Sequence, residues 1–132
     1  MISIRIKFIV ILFLMIGCAS DKYTWHTIEV TATAFNSLAY QTSLNPSITA
    51  FGDSLIPGKK YIAVSRDLLT LGLKHNTPVK IEGFDGVFLV KDKMHRRWKK
   101  RIDIYMGEDV KKAKEWGRKK VTISYGIKKK DQ

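Results

Sequence analysis

The segment Thr27-Ile28-Glu29-Val30-Thr31-Ala32-Thr33-Ala34-Phe35 decides the fold class of this 132-residue chain. Ile28, Val30, Ala32 and Ala34 occupy every second position, which is the period of a β-strand with one buried face. We therefore predict a strand over residues 27–35, with the core of the domain beginning there.

Five further short segments have the composition of strands, namely residues 61–65, 78–82, 87–92, 102–106 and 121–125. The linker Gly83-Phe84-Asp85-Gly86 predicts a hairpin between the segments on either side of it. Residues 67–71 can form one helical turn, and residues 108–116 predict a helix that Gly117 ends. Residues 36–60 predict a long ordered loop.

About six short strands with one or two short helices, and no alternating βαβ pattern, predict a small mostly-β barrel. The length agrees with this, because the residues that remain after a leader suffice for one compact domain with one core.

The N-terminus has the features of an export leader. Arg5 and Lys7 precede an apolar run over residues 8–16, which is too short to span a membrane. The run ends in Leu14-Met15-Ile16-Gly17-Cys18, which resembles a bacterial lipobox whose cysteine sulfur takes the lipid. The alternative is an ordinary signal peptide or a short uncleaved anchor, with Cys18 as an incidental thiol.

These features predict a signal peptide over residues 1–17, a tether over 18–26, the barrel over 27–126 and a basic tail over 127–132. The mature protein is expected to be exported and anchored to the membrane through a lipid on Cys18. Ala19 follows the cysteine and favours the outer membrane in a Gram-negative host, where the barrel is periplasmic. A single cysteine, once acylated, leaves no thiol for a disulfide.

The formal charge is +12, and removing Arg5 and Lys7 with the leader leaves +10. Such an excess favours polyanionic partners. For an exported protein these are cell-wall polymers and lipid head groups rather than nucleic acid. The three histidines lack ligand spacing and no second cysteine joins them, so we expect no metal site.

Two aspartates stand at the end or in the middle of apolar strands. Asp92 is expected to share a face with Phe88 and Val90, and Asp103 to face away from Ile102. A carboxyl group at the edge of apolar surface can have a raised pKa and act as a general acid, which glycan cleavage requires. The alternative is that both aspartates are solvated or bound by turn amides.

Several segments together resemble one known family over residues 30–125. They are Thr31-Ala32-Thr33-Ala34-Phe35, Thr49-Ala50-Phe51-Gly52, Ile62-Ala63-Val64-Ser65, Leu71-Gly72, Val90-Lys91-Asp92, Arg101-Ile102-Asp103-Ile104-Tyr105, Gly107 and Trp116-Gly117. The family is the three-aspartate (3D) domain, which is shared with membrane-bound lytic murein transglycosylase A.

The resemblance implies a double-psi β-barrel that cleaves peptidoglycan without water, between N-acetylmuramic acid and N-acetylglucosamine, and leaves a 1,6-anhydro end. It implies Asp103 as the catalytic acid and Asp92 as its partner, with no cofactor. Further candidates for substrate binding are Thr33, Phe35, Thr49, Ser65, Trp98 and Tyr105.

The chain departs from the family pattern in two places. Ser65 stands where the family has its first aspartate, and Lys93-Met94-His95 replaces a Thr-Gly-Gly sequence after the second. Cations crowd the segment between the two remaining aspartates, and Trp98 lies among them as a ring for stacking on a sugar or for filling the core. Cations within about 4 to 6 Å would lower the pKa of Asp103, whereas outward-pointing cations would attract acidic peptide stems.

Three hypotheses remain open from the sequence. The first is a lytic transglycosylase acting on peptidoglycan glycan strands. The second is a peptidoglycan-binding module of the same fold without catalysis. The third is a structural lipoprotein whose basic face docks on an anionic membrane or partner protein. The sequence does not indicate an oligomeric state.

Overall fold

The computed structural model describes residues 22–37 and 48–130. Six strands are present there: β1 (Tyr23–Phe35), β2 (Tyr61–Val64), β3 (Pro78–Ile81), β4 (Phe88–Lys93), β5 (Arg101–Tyr105) and β6 (Lys119–Lys128). Two short helices are α1 (Arg66–Leu69) and α2 (Val110–Trp116). The predicted signal peptide and Cys18 lie outside the described residues.

The six strands form a closed barrel in the order β1-β5-β2-β4-β3-β6. The contacts β1–β5 and β2–β4 are parallel and the other four are antiparallel. This confirms the predicted mostly-β, double-psi barrel with two short helices. Closure leaves none of these strands with a free edge.

The predicted hairpin between β3 and β4 is also confirmed. Pro78 pairs with Leu89 and Val79 with Phe88, after which β4 runs parallel to β2. The strand therefore turns away from its hairpin partner early, and this places its last residues beside β2.

The core occupies the inside of the barrel. Alternate residues of each strand point inward, and each fully buried aliphatic side chain contributes about 1.5–3 kcal/mol to folding. The largest fully buried apolar side chains are Ile62, Val64, Leu68, Leu73, Val79, Val90, Ile102, Ile104 and Ile123.

The ends of the barrel strands extend beyond the predicted bounds. β1 begins at Tyr23 and pairs with Lys128 at the end of β6, so residues 23–26 belong to the barrel and not to a tether. The helix predicted from residue 108 begins at Val110, because the Asp109 side chain accepts a hydrogen bond from the backbone N–H of Lys112 at 3.0 Å. None of the helices in the described ranges is long and apolar enough to cross a membrane.

Candidate functional site

Three neighbouring strands bring the two candidate aspartates to one side of the barrel. Ala63 on β2 pairs with Asp103 on β5 and with Asp92 on β4. Paired residues on adjacent strands share a face, and adjacent strands are about 4.8 Å apart, so the two aspartate Cα atoms lie on the order of 10 Å apart. The methyl side chain of Ala63 leaves the space between the two carboxyl groups open.

The position of Asp92 corrects one prediction. Ile62 pairs with Val90, but the next residue of β2 pairs with Asp92, so Lys91 is an extra residue that forms a β-bulge. An extra residue changes which face the following side chains occupy. Asp92 therefore lies on the outer face with Asp103, and not on the core face with Val90 and Phe88 as predicted.

A cleft of about 640 Å³ lies over this face, with Asp92 and Asp103 in its wall. This volume is in the range of small-molecule sites in proteins. Of the predicted binding residues, Phe35 and Trp98 line the cleft. Helix α2 supplies an opposite wall that the sequence did not indicate, and the remaining lining residues are Ala34, Asn36, Ala63, Lys93, Met94, His95, Val110, Ala113 and Lys114.

Asp103 has the environment of a proton donor. Burial raises the pKa of its carboxyl group from 3.8 to about 6. A hydrogen bond from Thr33 and the charge of Arg101 oppose this rise, while Asp92 adds to it. The Thr33 hydroxyl donates to Asp103 Oδ1 at 3.0 Å. Within residues 22–37 and 48–130, none of the ion pairs involves Asp103, so Arg101 acts on the group only from beyond ion-pair distance.

Asp92 is fixed by the backbone around it. Its Oδ1 accepts hydrogen bonds from the N–H groups of Ala50 and Lys93, both at 2.8 Å. Asp92 therefore holds a turn of the long loop and the end of β4 next to the cleft. This geometry suits a group that shapes the site and adds negative charge near Asp103.

Ser65 is fully buried and does not line the cleft. Its hydroxyl oxygen accepts a hydrogen bond from the backbone N–H of Arg101 at 2.9 Å, and its own N–H donates to the carbonyl of Arg101 at 2.8 Å. The predicted contact between Ser65 and substrate is therefore not possible in this structure. The residue instead fixes the start of β5, two residues before Asp103.

We expect Ser65→Ala to lower the free energy of unfolding by about 1–3 kcal/mol, because the Arg101 N–H loses its hydrogen-bond acceptor. Urea unfolding followed by circular dichroism measures this difference. Ser54→Ala is the control because Ser54 is exposed. Equal unfolding midpoints for both variants would contradict this structural role.

Thr49 and Tyr105 lie behind the cleft wall and not in it. The Thr49 hydroxyl oxygen accepts hydrogen bonds from the N–H groups of Phe51 at 3.3 Å and Asp53 at 3.2 Å, which closes a turn. Tyr105 is buried, and its ring centroid lies 5.3 Å from that of Phe35. Both residues support the shape of the cleft without contributing lining atoms.

The basic segment, residues 93–101, is anchored to the barrel at several points. The Met94 N–H donates to the carbonyl of Val64 at 2.9 Å, and Arg66 Nε donates to the Met94 carbonyl at 3.1 Å. At the other end, the Lys100 N–H donates to Asp67 Oδ2 at 2.9 Å. The segment therefore holds its side chains in defined positions over one end of the cleft.

Trp98 of the basic segment lines the cleft and does not belong to the hydrophobic core. The guanidinium carbons of Arg97 and Arg101 lie 4.7 and 3.9 Å from the centroid of its ring. The guanidinium of Arg101, whose charge lowers the Asp103 pKa, thus lies over the tryptophan ring, while Lys93 and His95 line the cleft itself.

No protein-family model matches the chain, and no curated protein matches it. Among solved structures, it is similar to two crystal structures of an expansin from Clavibacter michiganensis. The structure of a point mutant in complex with cellohexaose matches with a TM-score of 0.47 and 17% identity, covering 81% of this chain and 53% of the expansin chain. The apo structure matches with a TM-score of 0.47 and 18% identity over the same shares. The chain thus spans about half the length of the expansin chains.

Proposed function

We propose that this protein is a peptidoglycan lytic transglycosylase, which cleaves between N-acetylmuramic acid and N-acetylglucosamine and leaves a 1,6-anhydro end. The observation that supports this most is Asp103, whose pKa burial raises to about 6 in the wall of a cleft of about 640 Å³. A carboxyl group that holds its proton near neutral pH can donate it to a leaving oxygen.

The chemical step uses Asp103 twice. The protonated carboxyl group donates its proton to the glycosidic oxygen as the bond from that oxygen to C1 of the muramic acid breaks. The C6 hydroxyl oxygen of the same sugar then bonds to C1, and its proton passes to the Asp103 carboxylate. The acid is regenerated, and the sugar hydroxyl replaces the water that an inverting hydrolase activates with a second carboxylate.

The surrounding residues have supporting roles in this proposal. Thr33 holds one oxygen of Asp103 at 3.0 Å, which leaves the other oxygen to face the sugar. Asp92 adds to the rise in the Asp103 pKa through its negative charge. Phe35 and Trp98 offer aromatic surface in the cleft for sugar rings.

The location proposed for the protein is the cell envelope, with a lipid on Cys18 as the anchor. The leader-like N-terminus and the lipobox-like residues 14–18 support this placement, as does the net charge of +10 after the leader is removed. A basic domain on such an anchor is attracted to the acidic groups of the cell wall.

Product analysis of digested murein sacculi tests the proposal. We expect the purified domain to release fragments that mass spectrometry identifies as 1,6-anhydromuramyl ends, lighter by one water than the reducing ends left by a hydrolase. Fragments with ordinary reducing ends would show a hydrolase instead. The absence of any fragment would reject catalysis.

A second candidate is a peptidoglycan-binding module of the same fold without catalysis. Ser65 in place of the family's first aspartate and the cationic segment in place of its glycines favour this alternative. Cosedimentation with sacculi at rising salt separates the two functions. Binding that salt weakens, with no released fragment, supports the module.

A further inference from the structure

A cluster of arginines lies at the rim of the cleft, around Trp98. Arg97 and Arg101 both lie over the ring of this tryptophan. Burial lowers the pKa of the Arg101 guanidinium, the nearby charges of Arg118 and Arg97 lower it further, and the charge of Asp103 raises it. Three cations therefore lie close together, and we name Arg97, Trp98, Arg101 and Arg118 the arginine–tryptophan cluster.

The positive charge of this cluster has no ion-pair partner in the described part of the chain. The ion pairs found there join His75 and Lys91 to Asp53, and Lys111 to Glu115. Arg101 Nε is buried and has no hydrogen-bond acceptor among the described residues. Arg97 and Arg118 are exposed, so their donors are open to an anion from solvent, and the excess of positive charge attracts one.

Stacking leaves the arginines able to bind such an anion. A guanidinium over an aromatic ring uses its flat face for the ring, while its N–H groups point outward around the edge. Those edges form the fork that matches the two oxygens of a carboxylate. The tryptophan thus orients the arginines without occupying their hydrogen-bond donors.

We propose that the arginine–tryptophan cluster binds a carboxylate group carried by a glycan strand, and so selects an acidic glycan over a neutral one. Trp98 belongs both to the cluster and to the lining of the cleft, so an anion at the cluster lies on the same polymer that fills the cleft. The lactyl group of muramic acid supplies such a carboxylate where the stem peptide has been removed from it. This inference rests on the proposed function for the identity of the polymer, but not for its cleavage.

A pair of soluble tetrasaccharides tests the inference. One alternates N-acetylglucosamine with N-acetylmuramic acid carrying free lactyl carboxylates, and the other is chitotetraose, which lacks those groups. Calorimetric titration uses the barrel carrying Asp103→Asn, so that neither sugar is consumed. We expect the muramyl sugar to bind at least about tenfold more tightly, as one charge-assisted hydrogen-bond pair provides.

Variants of the cluster locate the effect. Arg97→Gln and Arg118→Gln are each expected to reduce the preference for the muramyl sugar about tenfold. Arg96→Gln removes the same charge from the same segment, and Arg96 is equally exposed but lies outside the cluster, so this control is expected to keep the preference.

Two results would overturn the inference. One is equal affinity of the Asp103→Asn protein for the two sugars, including the case in which neither binds. The other is an equal loss of preference in Arg96→Gln, which would indicate general attraction to charge. If sacculi release no anhydro fragments while the preference and its arginine dependence hold, then catalysis fails and the carboxylate site remains.

Discussion

Replacing Asp103 with asparagine is expected to lower the rate of anhydromuropeptide release by about 10²–10⁴-fold, because general acid catalysis contributes about this factor. The amide keeps the size of the side chain and an oxygen that accepts the Thr33 hydrogen bond, but it has no acidic proton. Chromatography of sacculus digests with mass detection measures the rate. The binding of sacculi is expected to persist, since the substitution changes only one group in the cleft wall.

Asp85→Asn is the matched control for this experiment, because Asp85 lies exposed in the turn between β3 and β4. The control is expected to retain the parent rate. Equal rates for Asp103→Asn and the parent protein would remove the catalytic assignment of Asp103, whereas no release by either protein would leave the binding module as the function.

The stability of the protein is expected to depend on pH through the same residue. Burial raises the Asp103 pKa from 3.8 to about 6, so between these pH values the folded chain keeps a proton that the unfolded chain has released. The free energy of unfolding therefore falls as the pH rises through this range. The full difference corresponds to about 3 kcal/mol.

Chemical unfolding of the parent protein and of Asp103→Asn at pH 4, 6 and 8 isolates this effect. The pKa of Asp67 is also lowered in the fold. Burial alone would raise it, but hydrogen bonds, among them those from Ser65 and Lys100, outweigh burial. Its contribution is common to both proteins and cancels in the comparison. The asparagine variant is expected to be more stable than the parent at pH 8, with the advantage vanishing at pH 4. Parallel curves at all three pH values would show that the Asp103 pKa is not raised.

The activity is expected to depend on the protonation of the same carboxyl group. Catalysis requires the protonated form of Asp103, so the rate is expected to fall as the pH rises above about 6. The stability difference is expected to stop changing at the folded pKa of about 6, so an activity midpoint at the pH where it levels off would assign both effects to one carboxyl group.

The barrel could be predicted from the sequence because its strands alternate regularly and its turns carry glycine. Period two over β1, the glycines between β3 and β4, and Gly117 after α2 are local signals, and each has the expected counterpart in the fold. The same alternation predicts that Asp103 lies on the face of β5 away from Ile102 and Ile104, as the structure has it. Local chemistry thus determined the parts of the site that lie on uninterrupted strands.

The rest of the site depends on pairing between distant segments, which a single sequence does not display. The bulge at Lys91 arises from the register of β4 against β2, and it moved Asp92 to the other face. Ser65 was assigned to the groove by its position in a family motif, whereas the start of β5 takes its hydroxyl as an acceptor. Helix α2 was predicted as a helix, but its place over the cleft follows only from closure of the barrel.

The bulge at Lys91 determines on which face of β4 the carboxyl group of Asp92 lies. If Lys91 instead took a regular place in the ladder, unbroken alternation would direct the carboxyl group of Asp92 among the aliphatic side chains of the interior. Burial of this carboxylate would either neutralise it or unfold the chain. The bulge is therefore maintained by the cost of burying an ionisable group, and not by backbone pairing alone.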